Sequence, residues 1–223
     1  MLDKANSPTF FSPEVQQMVD GFFALQFRYS AALREVQTKL EILDDEFHAS
    51  HLRNPIHHIE SRIKSIPSMM EKLQRKRFPV SLSSALENLR DIAGIRVVCS
   101  YVEDVYTVAR LLTSQDDVKV LCERDYIREP KENGYRSLHL ILEIPVFLQE
   151  GPVSIPVEVQ LRTIAMDFWA SLEHSMRYKA NGEVSEDVSR ELLETSRDVA
   201  ALDRRMQALH ERIQAIPARE GAP

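Results

Sequence analysis

The stretch that decides the fold runs from residue 130 to residue 179. It opens with PKENGYRSLH at 130–139, continues with VEVQLRT at 157–163 and reaches DFW at 167–169. The first segment is a glycine turn followed by alternating apolar and polar residues, which is typical of a β-strand. The second alternates in the same way, so we predict two strands of one sheet with a helix after them.

The first of these strands has a polar and an apolar face. Successive side chains on a strand point to opposite sides. We therefore predict that Tyr135, Ser137 and His139 share one face, while Leu138 and Leu140 fill the other.

The second strand repeats this design. Its apolar face holds Ile155, Val157, Val159 and Leu161, and its polar face holds Glu158, Gln160 and Arg162. Alternation alone is equally typical of an antiparallel sheet with a solvated polar face, so the spacing names no reaction.

Length, composition and charge limit the classes of protein to which the chain can belong. The chain has 223 residues, 43% of them hydrophobic, which is enough for a domain with a core. A net charge of −6 does not favour a general nucleic-acid binder, and we expect no DNA partner. Cys99 and Cys122 form no metal-type pair and suit a reducing, cytoplasmic location. No apolar run reaches the ~18 residues of a membrane span, so no membrane association is expected.

Long helices are predicted at both ends. Apolar residues from Val15 to Phe47 recur at helical spacing and predict one long helix, or two that divide near Gly21. The tail carries apolar residues at alternating steps of four and three, which is typical of a coiled-coil seam. The seam consists of Val188, Leu192, Thr195, Val199, Leu202, Met206, Leu209, Ile213 and Ile216. It could pack on its own domain, but its narrowness favours pairing between helices.

These patterns divide the chain into three parts. We expect an N-terminal helical segment at 1–54, a core domain at 55–180, and an oligomerisation helix with its tail at 181–223.

A basic element precedes the central stretch. Lys64, Ser68, Lys72 and Arg75 follow one another at steps of four, four and three. This spacing puts them on one face of a helix or at its leading end, where a polyphosphate would be well held. Charge alone favours a solvated basic face instead.

Three motifs resemble the synthetase domain of the RelA/SpoT family, whose members make the alarmones pppGpp and ppGpp. They are NGYRSLH at 133–139, EVQLRT at 158–163 and MDFWASLEH at 166–174. The last is most similar to the single-domain small alarmone synthetases of the RelP type. The resemblance spans roughly residues 55–179. It implies an α+β, nucleotidyltransferase-like fold, in which helices flank a mixed, mostly antiparallel sheet.

The resemblance also implies a reaction. Enzymes of this family transfer pyrophosphate from ATP to the 3′-hydroxyl of GDP or GTP and release AMP, with Mg²⁺ as cofactor. Arg62 and Arg96 match the two arginines that stack on adenine. Lys64, Ser68, Lys72 and Arg75 match the side chains that hold the donor phosphates.

The remaining roles follow from the same resemblance. Asp91 and Glu158 match the magnesium-binding carboxylates, and Glu158 also matches the base at the acceptor hydroxyl. The acceptor residues would be Arg124, Lys131, Tyr135, His139, Gln160 and Asp167. Tyr135 would stack on guanine, and Asp167 would accept hydrogen bonds from the N1–H and N2 amino group of guanine, a pair of donors that adenine lacks.

Two other functions fit parts of the sequence. A nucleotide-sensing module of the same fold would keep Arg62, Arg96 and Tyr135 but lose Asp91 or Glu158, and both carboxylates are present. A helical adaptor is supported only by the terminal helices. The chain has no P-loop string, which excludes a P-loop GTPase, and no His-Asp dipeptide, which the family's hydrolase half carries. The pair His57 and His58 is too isolated to predict a metal site.

Assembly and regulation are further expectations from the family. Its small members suggest a homotetramer, and some are stimulated by their own product in a cleft between subunits. That site uses an aromatic residue and a threonine just before the first adenine-stacking arginine. Here His58 and Glu60 stand at those positions. A carboxylate repels a pentaphosphate, so we predict that pppGpp does not activate this protein at neutral pH.

Overall fold

A computed structural model of the chain describes residues 12–50, 53–179 and 184–216. The six helices of this part are α1 (Pro13–Ala49), α2 (Ile66–Arg75), α3 (Leu82–Asn88), α4 (Val102–Thr113), α5 (Ile164–Lys179) and α6 (Glu186–Gln214). The five strands are β1 (Ile56–Ile63), β2 (Ala93–Cys99), β3 (Lys119–Asp125), β4 (Leu138–Leu148) and β5 (Gly151–Thr163). No helix in the described residues is long and apolar enough to cross a membrane.

One five-stranded sheet organises the molecule. Its strand order is β1-β2-β5-β4-β3. Only the contact between β2 and β5 is parallel, and the other three are antiparallel. The prediction of a mixed, mostly antiparallel sheet flanked by helices is confirmed.

The apolar face of the sheet forms the core with α1 and α4. The alternation predicted for β5 is confirmed, because Ile155, Val157, Val159 and Leu161 are all buried. α1 is a single helix through Gly21 and contacts β1, β2, β4 and β5. The side chains of residues 13–19, including Val15, lie outside the described part. The domain boundaries expected at 54/55 and 180/181 fall beside residues 51–52 and at 180–183, which are also outside it.

The prediction for Ser137 is wrong. β4 begins only at Leu138, and Ser137 is fully buried, with its hydroxyl donating to the carbonyl of Leu161 at 3.1 Å. The alternation of a strand does not extend into the turn that precedes it. Tyr135 nevertheless reaches the polar face from that turn, since its hydroxyl lies 2.7 Å from Nε2 of His139.

α6 packs inward through small and polar residues rather than through its apolar seam. Ser196, Ala200 and Asp203 are buried at steps of four and three. Leu202 and Leu209 of the seam remain 48% and 46% exposed. The seam from Leu202 to Ile216 is therefore not buried within this chain.

Candidate active site

Strand register aligns two rows of side chains on the polar face of the sheet. One row consists of Glu60 on β1, Arg96 on β2, Gln160 on β5, His139 on β4 and Arg124 on β3. The neighbouring row consists of Arg62, Gly94, Glu158, Ile141 and Cys122 on the same strands. Residues two apart on a strand share a face, so the side chains of both rows lie on the same face of the sheet.

Two cavities open along these rows. The β1-side cavity encloses about 250 Å³ and is lined by Glu60, Ser61, Arg62, Asp91, Gly94, Ile95, Arg96, Glu158 and Gln160. The β3-side cavity encloses about 380 Å³ and is lined by Lys72, Lys76, Asn88, Arg90, Asp91, Leu121, Cys122, Arg124, His139, Ile141 and Glu158. Asp91 and Glu158 line both. The two cavities therefore meet at a pair of carboxylates.

Asp91 precedes β2 and lies between two lysines. Lys72 Nζ lies 2.5 Å from Oδ2 of Asp91, and Lys64 donates to the same oxygen. Burial raises the pKa of Asp91, but the hydrogen bonds from Lys64 and Lys72 outweigh it, so its pKa lies below the usual range. Burial also lowers the pKa of Lys64 despite its contact with Asp91.

Glu158 is held ionised by its neighbours on the sheet. Nδ1 of His139 lies 3.2 Å from its Oε1, and the Gln160 amide donates to its Oε2 at 2.8 Å. Burial raises the pKa of Glu158, but the contacts with His139 and Gln160 lower it by more. The pKa of Glu158 therefore lies below its ordinary value. A partly buried carboxylate in this state can bind a cation or accept a proton.

The carboxylate pair fits the chemistry of magnesium. Oδ1 of Asp91 is buried and has no hydrogen-bond partner among the described residues. One carboxylate oxygen at the junction therefore still has its lone pairs available to a cation. No group of three or more His, Cys, Asp or Glu residues suited to a metal occurs in the described part of the chain. Mg²⁺ is usually held by one or two carboxylates together with substrate phosphates and water, which matches a two-carboxylate junction.

Tyr135 lies at the centre of a cationic and aromatic cluster. Nη2 of Arg162 donates to the Tyr135 hydroxyl at 2.6 Å, and the guanidinium lies 5.1 Å from the centre of its ring. Lys131 Nζ lies 4.6 Å from the rings of both Tyr126 and Tyr135. These contacts hold the phenol ring beside His139, near the start of β4.

Asp167 lies at the start of α5, between two arginines. Its Oδ1 accepts from Nη1 of Arg162 at 3.1 Å and lies 3.4 Å from Nη1 of Arg96. Thr163 caps this helix by accepting from the backbone N–H of Met166 at 3.1 Å. The cap sets where α5 begins and so places Asp167 beside the sheet.

The basic element is divided between a short link and a helix. Lys64 lies before α2, at its leading end, and Ser65 caps the helix by accepting from the backbone N–H of Ser68 at 3.4 Å. Ser68 and Arg75 line neither of the two cavities. Of the residues predicted to hold donor phosphates, the structure thus brings Lys64 and Lys72 to the carboxylate junction.

Two residues of the site were missed by the sequence analysis. Arg162 was placed on the polar face but was given no role, although it contacts Tyr135, Gln160 and Asp167. Tyr126 makes an edge contact with His139, at 5.2 Å between ring centres. The alternation of β5 pointed to Arg162, whereas no spacing signal marked Tyr126.

Three further residues discussed in the sequence analysis lie on β1. Glu60 lines the β1-side cavity and accepts from Nη1 of Arg96 at 3.1 Å. His57 and His58 contact each other through their Nδ1 atoms at 2.9 Å and belong to no metal-type cluster in the described residues.

Comparison with known proteins supplies the family. The model of the region found in RelA/SpoT proteins matches residues 61–183. GTP pyrophosphokinase YwaC of Bacillus subtilis is 44% identical over 168 residues, which cover 75% of this chain and 80% of that protein.

Solved structures agree in sequence and fold. Small alarmone synthetase 2 from Bacillus subtilis is 41% identical with a TM-score of 0.75, and the match covers 82% of this chain and 96% of that one. Small alarmone synthetase 1 from the same organism, solved with its product pppGpp, is 36% identical with a TM-score of 0.78 over 83% and 94%. The chain belongs to the RelA/SpoT family, and its fold is that of the small alarmone synthetases.

Proposed function

We propose that this protein is a GTP pyrophosphokinase that transfers pyrophosphate from ATP to the 3′-hydroxyl of GDP or GTP. The products are ppGpp or pppGpp and AMP. The observation that carries this proposal is the meeting of two cavities at Asp91 and Glu158. Transfer between two nucleotides requires two binding sites that share one reaction centre, and the arrangement supplies both.

The β1-side cavity is the proposed site of ATP. Arg62 and Arg96 line it, and their guanidinium planes can stack on adenine. Lys64 and Lys72 both contact Asp91, where the two cavities meet, and would hold the donor phosphates at that junction; Ser68 and Arg75 would extend this surface along α2. Phosphoryl-type transfer depends mainly on such positioning and on neutralisation of charge.

The acceptor is proposed to bind on the side of β4 and β3. Guanine stacks on Tyr135, and Asp167 accepts hydrogen bonds from its N1–H and N2 amino group. Arg124, Lys131 and His139 bind the acceptor phosphates, while Gln160 supports the ribose. These proposals are supported by the cluster of rings and cations around Tyr135 and by the alignment of His139 with Arg124 across the sheet.

Glu158 is the proposed base at the acceptor hydroxyl. As the 3′ oxygen forms its bond to the β-phosphorus of ATP, the bond from that phosphorus to the α–β bridging oxygen breaks, and AMP leaves. The hydroxyl proton passes to Glu158, which its lowered pKa keeps ionised beforehand. Asp91 and Glu158 would hold Mg²⁺, which when bound neutralises phosphate charge and lowers the pKa of the hydroxyl.

Assembly and location complete the proposal. We propose a homotetramer in which the exposed apolar seam of α6 contributes a subunit contact. The seam's exposure in a single chain supports this, because heptad seams are normally buried between helices. We place the enzyme in the cytoplasm, in keeping with its two free cysteines.

A direct assay tests the proposed reaction. The purified protein is incubated with ATP, GDP and Mg²⁺, and nucleotides are separated by anion-exchange chromatography. The expected result is AMP and a guanosine with pyrophosphate at both the 5′ and 3′ positions, in equal amounts. Formation of ADP without such a product, or no turnover at all, would contradict the proposal.

A further inference from the structure

Glu60 is an acidic residue in a part of the site that is otherwise cationic. It lies on β1 two residues before Arg62, on the same face, and directly opposite Arg96 on β2. Its Oε2 accepts from Nη1 of Arg96 at 3.1 Å. The side chain remains 61% exposed and lines the β1-side cavity, so it is accessible to a ligand there.

The other acidic groups of this cavity are engaged at its far end. Asp91 is bound by Lys64 and Lys72, and Glu158 is bound by His139 and Gln160. They lie where phosphate is to be transferred rather than where a base would stack.

The polar groups nearest to Glu60 cannot replace it. The Ser61 hydroxyl points away and donates to Oε1 of Gln37 on α1 at 2.9 Å. Arg62 and Arg96 carry only donors. The Gln160 amide is occupied, since its oxygen accepts from Arg162 and its nitrogen donates to Glu158. Among the side chains that line this cavity, Glu60 is the acceptor that remains available at the base end.

We propose that Glu60 selects the base of the donor nucleotide by accepting a hydrogen bond from the 6-amino group of adenine. Adenine presents a donor at position 6, whereas guanine presents a carbonyl acceptor there. A carboxylate facing that carbonyl makes no hydrogen bond and repels it. A hydrogen bond to a charged oxygen is among the stronger kinds, and the contact with Arg96 holds the carboxylate beside the base.

This inference rests on the proposed function, because it assumes that the donor stacks between Arg62 and Arg96. It adds a reason why the protein distinguishes its two purine substrates. Glu60 would select adenine at the donor site, and Asp167 would select guanine at the acceptor site. Both carboxylates contact Nη1 of Arg96, Glu60 at 3.1 Å and Asp167 at 3.4 Å, so one guanidinium helps to hold both of the proposed base-selecting residues.

Purine riboside 5′-triphosphate tests the inference, because it is ATP without the 6-amino group. We would measure kcat/KM for this analogue and for ATP at fixed GDP, with the wild type, Glu60→Ala and Glu60→Gln. Glu143→Ala is the matched control: Glu143 also forms a cross-strand ion pair, with Lys119 at 3.0 Å, but lines neither cavity.

The wild type should prefer ATP by at least about tenfold, the size expected for one charge-assisted hydrogen bond. Glu60→Ala should bring this preference to within about threefold of unity, mainly by lowering kcat/KM for ATP. Glu60→Gln should keep part of the preference, since an amide oxygen still accepts, and Glu143→Ala should keep all of it.

Three results would overturn the inference. The first is no preference in the wild type. The second is a preference that Glu60→Ala leaves unchanged while both donors keep their kcat/KM. The third is the same unchanged preference with an equal loss of kcat/KM for both donors, which would mean that Glu60 acts only by orienting Arg96. If no donor supports turnover in the wild type, the proposed function itself fails. Equilibrium binding of the two triphosphates then gives the same comparison, with the same expected preference.

Discussion

The two proposed base-binding regions are built in different ways. The base end of the β1-side cavity comes from strands alone, because Glu60, Arg62 and Arg96 occupy registered positions on β1 and β2. On the acceptor side, Tyr135 lies outside the strands, in the turn that precedes β4. A strand residue is positioned by its ladder of backbone hydrogen bonds, whereas a turn residue needs other support.

That support comes from α5 and α6. Tyr135 N–H donates to Oδ1 of Asn133 at 3.2 Å, and the Asn133 amide donates to Glu173 on α5 at 3.1 Å. Ser196 on α6 donates to the carbonyl of Gly134 at 2.5 Å. The residue proposed to stack on guanine therefore depends on the C-terminal helices, while the residues proposed to stack on adenine depend on the sheet. Substitutions in the two regions should therefore change the KM of different substrates.

The largest effect is expected at the junction that belongs to both cavities. Glu158→Gln keeps size and polarity but removes charge and basicity. Turnover should fall at least about 100-fold, the lower end of acid–base effects, while ATP binding largely survives. Steady-state kinetics and equilibrium binding of a non-hydrolysable ATP analogue would measure the two. Near-normal turnover in the variant would show that Glu158 has neither proposed role.

A substitution in the turn should affect the acceptor side alone. Gly134 has a positive φ of 88°, and an added Cβ would lie 2.6 Å from Ser196 Cβ and Oγ. We expect Gly134→Ala to lower the free energy of unfolding by about 1–3 kcal/mol. The KM for GDP should rise several-fold while the KM for ATP stays within about twofold.

Gly151→Ala is the matched control for that change. Gly151 also has a positive φ, 116°, but an added Cβ there would meet nothing within 4 Å. Backbone strain should destabilise this variant without changing either KM. Thermal unfolding and kinetics on both variants would separate strain from the contact with α6. If Gly134→Ala raised the KM for GDP and the KM for ATP equally, the claim that the two regions serve different substrates would be wrong.

The outer surface of α6 leads to a prediction about assembly. Leu202→Glu together with Leu209→Glu places charge in the exposed seam and leaves the inward-facing Ser196 and Asp203 untouched. We expect smaller species in multi-angle light scattering, with the circular dichroism spectrum unchanged. Leu86→Glu, at an exposed leucine on α3, should keep the wild-type mass. An unchanged mass in the double variant would show that the seam does not join subunits.

The smallest expected effect concerns the product. We predict that added pppGpp does not raise the initial rate at neutral pH and sub-saturating GDP. Glu60 places a carboxylate at the position of the family's threonine, although in this chain its charge is partly balanced by Arg96. A several-fold rise that Glu60→Ala abolishes would show that a product site exists and that Glu60 contributes to it.

Sequence patterns predicted the sheet well and the turns less well. The alternation along β5 placed Glu158, Gln160 and Arg162 together because strand geometry follows directly from period two. The same rule failed at Ser137, which precedes its strand. Contacts such as Ser196 with Gly134 join residues 62 positions apart, and no local pattern encodes such a distance.

The tail shows a related limit. Its heptads predicted a helix and an apolar seam, and both are present. The buried stripe of Ser196, Ala200 and Asp203 was not predicted, because small and polar residues resemble a solvated face until the partner is known. Thr163 is that partner for Asp203, at 2.8 Å between the two oxygens.

Crossed binding measurements test the central claim, that each side of the carboxylate junction binds its own nucleotide. Isothermal titration calorimetry would measure the affinity of each variant, Arg62→Ala and Tyr135→Ala, for a non-hydrolysable ATP analogue and for GDP. Loss of a stacking partner costs roughly 1–3 kcal/mol per base. Arg62→Ala should therefore weaken the ATP analogue at least about fivefold and spare GDP, and Tyr135→Ala should do the reverse. Weakening of the same nucleotide in both variants, or of both nucleotides equally, would contradict the claim.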